Sequence, residues 1–171
     1  MTNAVHQMQM TYDPEEDRLL FRINTLQREE FRFWLTRRYT LMCLKILKEH
    51  LERDPDVSTQ LTPEARQAVK AFKQEKVAQS ADFSQQFSTR SSDFPLGEAA
   101  ILAFKLSYGF RGEMMNLTIE PKAGKGVSLM LNRELSVSLI RLMLAAGKKA
   151  GWQLGEEDLL SLKNGETKII N

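Results

Sequence analysis

The chain has 171 residues, 42% of them hydrophobic and 27% charged, with a formal net charge of +2. That fits one domain, or two small halves sharing a core, in an ordinary soluble globular chain. No apolar run reaches the roughly 18 residues of a membrane helix, the single cysteine, Cys43, excludes an internal disulfide, and so small a net charge excludes a global polycation.

The opening residues Met1–Gln7 carry neither a basic stretch nor an apolar one. The expectation is therefore a protein that is not secreted and stays in the reducing cytoplasm. Three runs follow in which apolar and polar residues alternate: His6–Tyr12, Arg18–Asn24 and Glu30–Leu35. Period-two alternation predicts half-buried strands, and Asp13-Pro14 marks a turn between the first two. Thr36 is a good N-cap directly after Leu35, so a helix is predicted over Arg37–Arg53. Its inward side holds Tyr39, Met42, Cys43, Ile46, Leu47 and His50.

Leu61-Thr62-Pro63-Glu64 opens a second helix, running to about Ala78. Its apolar stripe of Ala65, Ala68, Val69 and Phe72 is narrow, and Lys70, Lys73 and Lys76 occupy another side. Such a helix packs lightly or serves a partner. Gln79–Asp93 reads as a loop, with Phe83, Phe87 and Phe94 available to tuck against the body. Strands are predicted again at Ile101–Tyr108, Met114–Glu120 and Gly126–Leu131, with turns at Gly109, Gly112 and Ala123-Gly124. A helix capped by Asn132 then covers Arg133–Ala150, its inward side holding Leu135, Leu139, Met143 and Ala146, and it stops at Gly151. The tail predicts a short acidic helix at Glu156–Leu162 and an edge strand or dimer contact at Ile169-Ile170.

A shift of 96 positions lays the chain on itself. The apolar face Met8, Met10, Tyr12, Leu19, Phe21, Ile23, Phe31, Phe33 and Leu35 meets Phe104, Leu106, Tyr108, Met115, Leu117, Ile119, Val127, Leu129 and Leu131, with no gap. Each position is apolar or tyrosine in both copies, and a one-residue slip would turn the set to solvent. A three-stranded unit cannot bury enough area alone. The predicted fold is therefore one α+β domain over residues 1–171: two pseudo-symmetric βββα repeats, antiparallel sheets with packed helices, plus an inserted helix. Repeat one covers about 6–53, the helical insertion 54–97, repeat two 98–152 and the tail 153–171.

Residues that could carry chemistry are sparse. His6 and His50 lie far apart and make no metal-ligand spacing with Cys43. His50 and Cys43 both fall on an apolar helix side and read as packing residues. Ala123-Gly124-Lys125-Gly126 lacks the phosphate-loop spacing and closes a hairpin. Glu29-Glu30 and Asp13–Asp17 read as exposed acidic loops. The expectation is a non-enzyme without cofactor or metal.

The alternation also defines an outward face. If Phe31, Phe33 and Leu35 point in, Arg32 and Trp34 point out, beside Arg18, Leu20 and Arg22 of the neighbouring strand. Copy two carries Met114, Asn116, Thr118, Ser128 and Met130 there. An indole among arginines can stack bases and neutralise phosphates. The same face can instead be covered by the 63–94 insertion, pair with nearby acids, or form a homodimer interface. The doubled strands-then-helix order over about 10–52 and 106–148 resembles the Whirly and PUR-alpha single-strand-binding families. That resemblance implies two sheet-plus-helix units of four strands each, and single-stranded DNA or RNA as ligand. A fourth strand would come from residues before His6 or around Glu98–Ala100. The expected function is a binding module for single-stranded nucleic acid through Arg18, Arg22, Arg32 and Trp34, with Arg37 and Lys125 adding charge. The alternative is a scaffold that meets a protein partner or a second copy, with no membrane contact.

Overall fold

The computed structural model describes residues 2–80, 86–88, 90 and 93–155. The chain is α+β: a seven-stranded sheet with four helices. Strands β1 (Thr2–Asp13), β2 (Arg18–Thr25) and β3 (Glu30–Leu35) form a meander and lead into α1 (Arg37–Glu52). A short α2 (Pro55–Ser58) and α3 (Pro63–Ser80) follow. Then come β4 (Ile101–Leu102), β5 (Lys105–Arg111), β6 (Met114–Glu120), β7 (Val127–Leu131) and α4 (Arg133–Lys149). The predicted tail helix and the Ile169-Ile170 strand lie outside the described residues.

The sheet order β4-β3-β2-β1-β7-β6-β5 places chain-adjacent strands at its two ends. β4 runs into β5 through Ala103 and Phe104. The Ala103 N–H still donates to the Trp34 carbonyl of β3, whereas the Phe104 N–H donates to the Glu120 carbonyl of β6. β1 changes partner in the same way. Thr2–Ala4 runs parallel to β7, and Val5–Asp13 runs antiparallel to β2 with a register shift between Val5 and Gln7. The expected fourth strands are thus extensions of each first strand, reaching over to the opposite half.

The registers of the halves agree. Leu19 faces Leu35 as Met115 faces Leu131, and Phe21 faces Phe33 as Leu117 faces Leu129, all 96 apart. The first strand departs from the gapless alignment. Met8 pairs Ile23, but Leu106 rather than Phe104 pairs Ile119, so the offset there is 98. The cause is turn length. Asp13 and Arg18 are joined by four residues, Arg111 and Met114 by Gly112 and Glu113 alone. Gly112 takes the positive φ of 59° that so tight a turn requires. Phe104, expected to face inward, is 55% exposed because the alternation breaks where the strand changes partner. It stands at the partner switch, as exposed His6 does in β1.

One apolar cluster fills the interior, with the inward residues of both halves joined to α1 and α4. Thr36 and Asn132 cap these helices by accepting the Tyr39 and Leu135 N–H groups. α1 packs on α4 and on β5 of the other half, and α4 packs on β1. The Tyr39 hydroxyl, for instance, donates to the Lys105 carbonyl. The exchange explains why α1 buries Leu41, Leu44 and Leu51 beyond its predicted stripe. Cys43 is 1% exposed and burial pushes its thiol pKa well up, which suits a packing residue.

His50 lies at the α1–α4 contact, 1% exposed. Its Nε2–H donates to the Glu113 carbonyl at 2.9 Å, which leaves Nδ1 to accept from the Ser136 hydroxyl at 2.8 Å. This is the neutral tautomer. Burial lowers the His50 pKa from its ordinary 6.5, the Glu113 bond acts in the opposite sense, and Arg133 and Arg53 lower it further.

Two predictions follow from these contacts. Because the depressed pKa belongs to the folded state, unfolding takes up a proton below the ordinary value of 6.5. Stability measured in urea should fall as pH drops from about 7 towards 5, and His50→Gln should flatten that slope. An equal slope in both proteins would contradict the assignment. A Cβ at Gly126 would fall on the Ile119 carbonyl oxygen and 2.8 Å from Glu120 Cα, whereas one at Gly109 would meet nothing within 4 Å. Gly126→Ala should therefore cost about 2 kcal/mol in urea unfolding, and Gly109→Ala should cost far less.

Candidate interaction surface on the outer sheet face

Strand alternation sends Arg22, Arg32 and Trp34 to the outer side, as expected, but their setting differs from an open platform. Glu30, expected in an exposed acidic loop, is 1% exposed. It is the first residue of β3 and points to the same side as Arg32 and Trp34. One carboxylate oxygen accepts from Arg22 Nε at 2.8 Å and from Arg32 Nε at 2.7 Å. The register explains this. Arg22 pairs Arg32 across the two strands, and Glu30 pairs Asn24 in the next outward row, so its carboxylate reaches both guanidinium groups. Arg22 also donates to Gln9 Oε1 at 3.2 Å.

The cover comes from residues 86–88 and 93–98. The Phe87 ring stacks on Arg22 with the guanidinium carbon 4.4 Å from its centroid, and Phe94 stacks on Arg32 at 4.9 Å. Asn24 donates to the Ser88 carbonyl, the Ser88 N–H to Gln7, and the Glu30 N–H to the Asp93 carbonyl. Arg32 Nη1 donates to the Glu98 carbonyl at 2.7 Å. Phe87 and Phe94 thus do tuck against the body, while Phe83 lies outside the described residues.

The remaining site candidates are scattered. Arg18 stands at the far end of β2, with Glu16 at 3.9 Å. Arg37 begins α1 and donates to the Gln153 carbonyl at 2.9 Å. Lys125 lies on the β6–β7 turn, and β2 and β1 separate β7 from β3. The six residues therefore do not form one basic patch.

An apolar row lies beyond the arginines. Leu20 pairs Trp34, and Trp34 pairs Leu102 across β2, β3 and β4. Leu20 and Trp34 are half-buried and Leu102 is 40% exposed. Leu102 was missed in the sequence because it falls within the predicted Ile101–Tyr108 strand, in phase with the inward Leu106, and the partner switch at Ala103 and Phe104 breaks that alternation. Among the described residues no group of three His, Cys, Asp or Glu side chains could hold a metal, and no helix is long and apolar enough to cross a membrane. No protein family, curated protein or solved structure matches the chain.

Glu30 gives this surface its sharpest prediction. Glu30→Ala leaves two part-buried guanidinium groups facing each other and should cost about 3 kcal/mol in urea unfolding. Arg18→Ala, at an exposed pair 3.9 Å apart, should cost below about 0.5 kcal/mol. Equal costs would show that Glu30 holds nothing.

Proposed function

We propose that the chain is a non-enzymatic interaction module that pairs with a second copy of itself through Leu20, Trp34 and Leu102. The observation that carries this reading is the capture of Arg22 and Arg32 by Glu30. Cations already satisfied by a buried carboxylate, and stacked by Phe87 and Phe94, have little left to neutralise phosphate. The single-strand-binding reading needs those groups free and its ring-stacking places empty.

The apolar row needs neither. A two-fold contact sets one patch against its own image, so the row Leu20–Trp34–Leu102 would bury itself on itself. Trp, Met and Arg are enriched at such contacts, with charge kept to the rim. Arg18, two residues from Leu20 on the same face, supplies a rim cation. A chain working in this way belongs in the cytoplasm, where Cys43 stays reduced.

Sedimentation equilibrium from micromolar to submillimolar protein tests the reading. The wild type should be dimeric at the upper end, and Trp34→Ala and Leu102→Ser should shift it to monomer. A wild type that stays monomeric would contradict the proposal. So would single-stranded oligonucleotide that quenches tryptophan emission with a steep salt dependence lost in Trp34→Ala, which would restore the nucleic-acid reading.

A further inference from the structure

Lys70, Lys73 and Lys76 recur every three residues on α3, and the outer sheet face makes no use of them. Lys70 and Lys73 are half-buried against the body, Lys76 is exposed beside them, and Phe72, of the apolar stripe, is 68% exposed. The three lysines line a cleft of about 400 Å³ between α3 and the first turns of α4. That volume suits a small organic ligand.

The lining divides by charge and polarity. Lys73 is already taken: its ammonium sits 2.6 Å from both Asp54 and Asp56. Burial opposes ionisation of Asp54, but the hydrogen bonds from Lys73 and the Asp56 N–H outweigh it and hold that carboxyl below its ordinary range. Lys70 meets Glu52 at 3.4 Å. Exposed Lys76 also lines the cleft, with Arg133 and the exposed Glu134 at the start of α4. Arg133 Nη1 stands 3.8 Å from Glu113, whose carboxylate is 84% exposed. Its Nε is shielded from solvent and finds no acceptor among the described residues. Glu113, exposed and 3.8 Å away, leaves the Arg133 guanidinium weakly paired, and an oxyanion in the cleft meets such a group better. Beneath the cations the cleft is apolar: Leu51 is 8% exposed, Val57 2% and Val137 5%.

We infer that this cleft binds a small amphiphilic oxyanion. A carboxylate or phosphate head meets Arg133 and Lys76, and a short apolar body lies over Leu51, Val57 and Val137. The site shares no residue with the proposed self-contact, so either can fail alone.

Calorimetric titration of the full chain with hexyl phosphate, hexanoate, inorganic phosphate and hexanol tests it. One molecule of hexyl phosphate or hexanoate should bind per chain, at least about tenfold more tightly than inorganic phosphate or hexanol. Arg133→Gln should weaken that binding by about tenfold, the worth of one charge-assisted hydrogen bond. Trp34→Ala should leave it unchanged. If Arg133→Gln fails to fold by circular dichroism, Lys76→Gln decides, since Lys76 is exposed on α3. The proposal is overturned if neither amphiphile binds, if inorganic phosphate binds as tightly as either, or if binding survives every folded variant of Arg133 and Lys76.

Discussion

A single buried carboxylate organises the outer face of this protein. Glu30 accepts from Arg22 and Arg32 through one oxygen, and the covering segment completes the enclosure with two rings and several main-chain bonds. Removing a carboxylate from water costs several kcal/mol unless its partners are equally fixed, so the three charged groups must be held together or not at all. That constraint converts what looks like a cationic platform into internal structure. The part of the face left available is apolar, and the functional reading follows from that division.

A second constraint acts on the whole chain. Each first strand gives its early residues to the opposite half and its later residues to its own, and α1 and α4 each pack across to the other half's first strand. The halves therefore share one core. Splitting the chain near residue 97 would leave partnerless strand segments on both fragments and strip α1 and α4 of the surfaces they bury.

Much of this was legible in the sequence, for identifiable reasons. The inward residues of β2, β3, β6 and β7 were readable because one face of each strand is buried, and period-two alternation reports that directly. Thr36 and Asn132 were readable because N-capping is a local interaction. The two-residue slip in the first strand was not, since repeat alignment sees residues rather than turn geometry, and the Gly112-Glu113 turn is shorter than its counterpart. Phe104 was misassigned for a different reason, that the change of partner at Ala103 and Phe104 breaks the alternation there. Pairing of outward arginines with nearby acids was foreseeable from cross-strand neighbours, but the burial of Glu30 was not. It depends on Phe87, Asp93 and Phe94, far along the chain, and no local pattern encodes that. The same holds for α3, where Lys70 and Lys73 meet Glu52, Asp54 and Asp56.

Side-chain NMR of the arginine Nε–H groups tests the central claim most directly. If Glu30 holds Arg22 and Arg32, their Nε–H signals should exchange slowly with water and stay in place when salt or single-stranded oligonucleotide is added. Signals that exchange as fast as those of a surface arginine, and move with oligonucleotide, would show the clamp open and the account wrong.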